Sequence, residues 1–176
     1  MKVAVIGLAN SGKTTIFNAL TGMNIETTIY PSVVTEPHIG IVKVPDERLV
    51  KLTEIYKPKK TTHATVEYVD FIGLTKGDTV QNRKVFDMIK DADAIVHVIR
   101  GFEDESISHP LGGVDPIRDA ETVELEMIFG DLELIDTRLK RIEDGLKRGK
   151  KPPDESERKM LVKCKEILEA EKPLRD

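Results

Sequence analysis

Hydrophobic and polar positions follow two alternating periods through the first hundred residues. The run KVAVIG at 2–7 is short, continuous and β-branched, the pattern of a strand covered on both faces. From Lys13 to Thr21 the apolar residues Ile16, Phe17 and Leu20 recur at helical spacing, with Gly22 as a natural stop. A polar, proline-bearing loop, TTIYPSVVTEP, separates this helix from a second strand, HIGIVKV. Asp46 to Tyr56 reads as a helix with Leu49, Leu52 and Ile55 on one face, and HATVEYVDF as a third strand. A looser loop from Gly73 leads to a short helix, RKVFDMIKD, and then to DAIVHVIR, the most apolar strand of the chain. Such β–α alternation predicts an α/β fold: an open, mostly parallel sheet with helices on its faces.

The character changes after HPLGGVDP. Asp115 is a good N-cap and Pro116 sits at the first helical position, where proline is tolerated. From there Leu125, Ile128, Leu132, Ile135, Leu139, Ile142 and Leu146 are spaced 3, 4, 3, 4, 3, 4, a heptad seam. Acidic Asp119 and Glu121 crowd the start of this helix and basic Lys147 and Arg148 its end, which suits the helix dipole. Gly149 and KKPPD break it. Asp154 with Glu157 resembles a capping box, and Met160, Cys164, Ile167 and Leu174 form the stripe of a further helix. Residues 115–176 therefore read as an antiparallel helical hairpin, or coiled coil, following an α/β part at 1–114.

Charge changes this picture little. A charged fraction of 33% with a net charge of −4 imposes neither a nucleic-acid nor a membrane role. No apolar run approaches the roughly 20 residues needed to cross a bilayer. The single cysteine, Cys164, forms no internal disulfide and falls within an apolar stripe, so it reads as packing in a reducing, cytoplasmic setting. The histidines His38, His63, His97 and His109 sit in or beside strands and loops without metal-ligand spacing, and no zinc site is expected. Short basic runs, Lys57, Lys59, Lys60 and then Lys147 to Lys151, are expected as solvated surface, with RNA contact as the alternative.

Candidate chemistry begins at GLANSGKTT. Gly7, Gly12, Lys13 and Thr14 match the phosphate-binding pattern G-x-x-x-x-G-K-[ST], with a strand before and a helix after it. The glycines let backbone N–H groups converge on phosphate, and the helix beginning near Lys13 turns its positive dipole end toward the same place. Lys13 reaches the β- and γ-phosphates and the Thr14 hydroxyl is placed to ligate Mg²⁺. The candidate nucleotide-binding set is Gly7, Asn10, Ser11, Gly12, Lys13, Thr14 and Thr15. At the end of the third strand, Asp70 and Gly73 form Asp-x-x-Gly, in which the carboxylate holds Mg²⁺ through water and the glycine N–H meets the γ-phosphate. Thr35 is the nearest candidate for a further metal ligand before the second strand.

GLANSGKTTIFNALTG, YPSVVTEPHIGIVKVPDERLVKLTEIYKPKK, EYVDFIGLTKGD, DADAIVHVIRGFEDESISH and VDPIRDAETVELEMIFGDLELIDTRLKRIE together resemble the Obg-like ATPase (YchF) family of P-loop NTPases, over nearly the whole chain. The resemblance implies a Ras-like G-domain sheet with a helical coiled-coil insertion, Mg²⁺ and ATP or GTP as ligands, and a link to the ribosome. It implies a hydrophobic residue in place of a catalytic glutamine. Leu74 occupies that place beside Gly73, and with Lys13 these two make up the candidate catalytic set. Leucine cannot orient water by hydrogen bonding, so slow hydrolysis is expected. The chain departs from the family at Ala9 and Ser11, where proline and valine are usual. Its switch-I threonine aligns with Val34, one position before Thr35, and its switch-II loop, TKGDTVQNRK, is shorter with fewer glycines. The resemblance also puts the base-reading motif and the TGS domain beyond Asp176, so the chain reads as a fragment. DAIVHVIR would then be a bare sheet edge, covered by a second copy or a partner chain. Two functions are weighed: a Mg²⁺-dependent ATP- or GTP-binding switch, and a degenerate nucleotide-binding scaffold that presents the hairpin to a partner. A P-loop kinase fits poorly, because Asp70, Gly73 and Leu74 suit a switch better than an acceptor site.

Overall fold

The computed structural model describes residues 1–27, 36–149 and 155–175. Element order is β1 (Lys2–Ile6), α1 (Lys13–Thr21), β2 (His38–Lys43), α2 (Glu47–Tyr56), β3 (Thr65–Asp70), α3 (Thr79–Ile89), β4 (Ala94–His97), α4 (Pro116–Lys147) and α5 (Glu155–Glu169). The four strands form one sheet in the order β2-β3-β1-β4. β1 runs parallel to β3 and β4, whereas β2 is antiparallel to β3. The predicted α/β class and mostly parallel sheet are observed.

Strand β1 is central, and its continuous apolar run follows from that position: Val3, Ala4, Val5 and Ile6 are all buried. Side chains alternate across a strand, so the two faces separate cleanly. Ala4 and Ile6 join Val69, Phe71, Leu74, Val85 and Val123 in a core beneath α3 and the start of α4. The opposite face carries α1 through Phe17, which is fully buried. Gly40 permits this approach. A Cβ there would lie 2.5 Å from Thr21 Cγ2 and 3.1 Å from Phe17 Cζ.

Capping residues set the helix boundaries. The Asp46, Asp78 and Asp115 carboxylates accept from the N–H groups of Arg48, Gln81 and Arg118. Asp78 thus starts α3 four residues ahead of the predicted RKVFDMIKD, because a polar cap outweighs the weak apolar signal of TVQN. Gly22, with φ 70°, closes α1 by donating its N–H to the Asn18 carbonyl. β4 is shorter than DAIVHVIR suggested, since Arg100 turns away to donate to the carbonyls of Phe102, Asp104 and Ile107.

The seam of α4 packs as its spacing predicted along most of its length. Ile128, Ile135 and Ile142 are buried, while Leu146 is exposed. The α5 stripe is offset from the expected one: Leu161, Cys164 and Leu168 face α4, whereas Met160 and Leu174 lie 67% and 46% exposed. Ion pairs Asp136–Lys165 and Arg138–Glu157, whose numbering runs in opposite senses, fix the two helices as antiparallel. The predicted cap at Asp154 lies outside the described residues. The expected apolar face of α2 packs on nothing extensive, since Leu52 and Ile55 are 50% and 70% exposed and no residue of this helix is buried. No helix among the described residues is long and apolar enough to cross a membrane.

Candidate functional site

The loop from Gly7 to Gly12 leaves the central strand at its C-terminal end, where open α/β sheets bind ligands. Its shape rests on left-handed backbone at Asn10 (φ 60°) and Gly12 (φ 92°), a region that asparagine and glycine tolerate. Gly7 is required by contact. A Cβ on it would come within 2.3 Å of the Val98 carbonyl oxygen. α1 begins at Gly12 without any side-chain cap, so its first N–H groups remain directed at whatever occupies the loop.

Lys13 is buried at the centre of this loop, with its Nζ donating to the Leu8 carbonyl at 2.8 Å. Burial drives its ammonium down from 10.5 to about 8, against the opposing pull of Asp70. Beside it, Thr14 Oγ1 donates to Asp70 Oδ2 at 2.7 Å. Asp70 is itself 4% exposed, and its other oxygen, Oδ1, has no hydrogen-bond partner among the described residues. Desolvation raises the Asp70 carboxyl above its ordinary value, the Thr14 bond and the Lys13 charge opposing it. An orphaned carboxylate oxygen next to a hydroxyl suits a hard cation that keeps several of its waters, and so fits Mg²⁺. Among the described residues no group of three or more His, Cys, Asp and Glu forms an all-protein metal cage.

Asp-x-x-Gly closes onto the phosphate loop through backbone. Leu74 N–H donates to the Gly7 carbonyl at 2.9 Å and Ala9 N–H donates to the Leu74 carbonyl at 3.3 Å. Gly73 makes this possible, because a Cβ on it would lie 2.6 Å from Ala9 Cα and 2.7 Å from Ala9 N. The structure thus brings Gly7, Gly12, Lys13, Thr14, Asp70 and Gly73 into one place. It treats the other candidates differently. The Asn10 side chain is spent on the Ser108 carbonyl, and Ser11 Oγ is buried without a partner among the described residues. Thr15 is exposed on α1. The Leu74 side chain is 0% exposed and packs within the core, while its backbone meets the phosphate loop. Thr35 lies outside the described residues.

Several polar residues near the site gave no sequence signal. Asn82 is buried in α3 and clasps Thr75, accepting from its N–H and donating to its carbonyl. Glu126 of α4 accepts from both Gly77 N–H and Asn82 Nδ2. His109, read as unremarkable, is buried with its Nε2 2.8 Å from Asp119 Oδ2, while its Nδ1 accepts from Leu111 N–H. Each pair is far apart in sequence or joins a loop to a helix, and neither periodicity nor a local motif reports such contacts.

The family described as 50S ribosome-binding GTPase matches residues 2–137. Among curated relatives, the ribosome-binding ATPase YchF of Bacillus subtilis is 42% identical over 99% of this chain and 48% of its own length. The ribosome-binding ATPase YchF of Escherichia coli O157:H7 is 38% identical over 96% of this chain and 47% of its own length. The structure of the Schizosaccharomyces pombe YchF GTPase covers all of this chain and 49% of that chain, with a TM-score of 0.72 and 29% identity. The chain therefore spans about half the length of the curated relatives it matches. With the phosphate loop and its Asp-x-x-Gly partner together at the C-terminal end of the sheet, the chain belongs to the 50S ribosome-binding GTPase family, in its Obg-like (YchF) branch.

Proposed function

We propose that the chain is a Mg²⁺-dependent ATP- or GTP-binding switch with slow hydrolysis, linked to the ribosome. One observation carries this reading: a buried Lys13 and an Asp70 Oδ1 with no partner among the described residues flank Thr14 at the uncapped start of α1. Phosphate oxygens replace the Leu8 carbonyl as partners of Lys13, and the first N–H groups of α1 take up the remaining charge. Thr14 and Asp70 hold the metal, which supplies charge neutralisation for the phosphates. Gly73 presents its backbone to the γ-phosphate because it already lies against Ala9. Slow turnover follows from Leu74, whose buried side chain offers nothing to a water. The names of the relatives, ribosome-binding ATPases, support the ribosomal link.

Asp70→Asn tests this directly. The amide keeps an acceptor for Thr14 but loses the charge, so calorimetric titration with Mg²⁺-ATP and Mg²⁺-GTP should show affinity for the preferred triphosphate falling about 10-fold or more. The ligand-free variant should be more stable than wild type at neutral pH. The raised Asp70 value means that ionisation opposes folding, and this cost vanishes below the ordinary value of 3.8. Triphosphate binding that ignores both Mg²⁺ and the substitution would remove the metal from the mechanism. Binding of neither nucleotide by wild type would favour the second reading, a scaffold presenting the hairpin. That reading draws on Lys13 being closed onto Leu8.

Strand β4 has no neighbour on its outer side among the described residues, and Ile95 is 43% exposed. We propose that a second copy or a partner chain covers this edge. Light scattering at rising concentration is expected to show self-association of the isolated chain, and a constant monomer mass would leave only a different partner chain to cover it.

A further inference from the structure

We propose that Glu126 is a positioning residue for the loop that carries Gly73, and that it makes α4 respond to what occupies the phosphate site. This rests on the nucleotide reading above. The loop at 73–78 is held at two ends. Its first residues are bonded to the phosphate loop by Leu74, as described. Gln81 Nε2 donates to the Gly73 carbonyl at 2.9 Å, and Asn82 grips Thr75 by both its N–H and its carbonyl. Glu126 closes the far end. Its Oε1 accepts from Gly77 N–H at 2.8 Å and its Oε2 from Asn82 Nδ2 at 2.7 Å. Glu126 and Asn82 are 8% and 1% exposed, so neither has water as a ready substitute partner.

The place of Glu126 on α4 gives the contact its consequence. Val123, one turn earlier, belongs to the core beneath the sheet, and Ile128, just after, begins the core of the helical hairpin. Glu126 therefore lies at the junction of the two cores. Gly130 lets α3 and α4 pack tightly there, since a Cβ on it would meet Phe86 Cδ2 at 2.8 Å. A shift of Gly73 toward a γ-phosphate must either strip a buried carboxylate of its donors or carry α3 and α4 with it. From Glu126 to Lys147 the helix extends about 30 Å, so a small tilt at the junction is a larger displacement at the hairpin tip.

Glu126→Gln separates this role from simple packing. Size is kept, but the new amide N–H₂ must face either Gly77 N–H or Asn82 Nδ2, so one donor is left without an acceptor. The 176-residue chain is titrated with Mg²⁺-diphosphates and with Mg²⁺ and non-hydrolysable triphosphate analogues of adenosine and guanosine. Amide hydrogen exchange is followed in each state. In wild type the triphosphate analogue is expected to alter exchange at 7–15, at 73–82 and at 116–130. In Glu126→Gln the change at 7–15 persists, that at 116–130 is lost, and the ratio of triphosphate to diphosphate affinity shifts about fivefold or more. A wild-type ratio and exchange pattern in the variant would overturn the proposal, as would nucleotide binding by wild type with α4 indifferent to it. Wild type binding no nucleotide would instead overturn the proposed function and this coupling together. Glu126→Ala gives the harsher comparison, and if it fails to fold the glutamine variant decides.

Discussion

Lys13→Met should weaken triphosphate binding by about 10²–10⁴-fold, because each charge-assisted bond to phosphate is worth about 1.5–3 kcal/mol and two are lost. The same substitution should make the ligand-free chain more stable. Lys13 is 6% exposed, and burial holds its ammonium down to about 8 from 10.5. Between those two values the unfolded chain binds more protons than the folded one, so raising the pH through this window stabilises the fold. At pH 7 both states are protonated and the full cost of the buried charge is present. Methionine, of similar length and uncharged, removes it. Asp70 loses its neighbouring cation at the same time, which leaves a net gain of about 1–2 kcal/mol. Denaturant unfolding at pH 7 and pH 10.5 checks the sign: the gain should be clear at the first and nearly gone at the second. A destabilised variant at pH 7 would mean that the Leu8 carbonyl bond outweighs desolvation.

Leu74→Gln is the second large effect, and its direction separates two accounts of the same residue. If position 74 served the phosphate site, restoring a glutamine would speed hydrolysis. The structure places the side chain in the core with Ile6, Leu8, Val69 and Phe71. Its backbone is fixed by bonds to Gly7 and Ala9, which leaves the side chain no easy route to the cradle. Glutamine there loses apolar burial and buries an amide without partners, so destabilisation of about 3 kcal/mol or more is expected, with no gain in turnover. Chemical denaturation together with a phosphate-release assay measures both. Faster release from a variant as stable as wild type would show that the side chain at position 74 reaches the phosphate site.

The legibility of the chain in its sequence follows how local each determinant is. β1, α1 and the phosphate loop were readable because a β-branched run, a glycine pair and a helical period all fall within 22 consecutive residues. The α4 seam was readable for the same reason, and Asp115 and Pro116 marked its start correctly. α2 was readable as a helix but not in its packing. Leu49, Leu52 and Ile55 do share a helical face, but periodicity says which side is apolar, not whether anything covers it. The α5 stripe keeps Cys164 but takes Leu161 in place of Met160, because both are apolar and only contact with Ile128 and Ile135 chooses between them.

By itself, the sequence determined the chemistry available at the phosphate loop. A lysine, a threonine and two glycines at fixed spacing need only the next strand and helix to converge. The tertiary structure decided everything that depends on residues meeting from afar. It put Asp70 beside Thr14 with one oxygen left without a partner among the described residues, turned Leu74 inward, and joined Glu126 to Gly77 across 49 positions of chain. Side-chain burial and long-range hydrogen bonds are properties of how the sheet and helices pack, and no single stretch of the chain contains them.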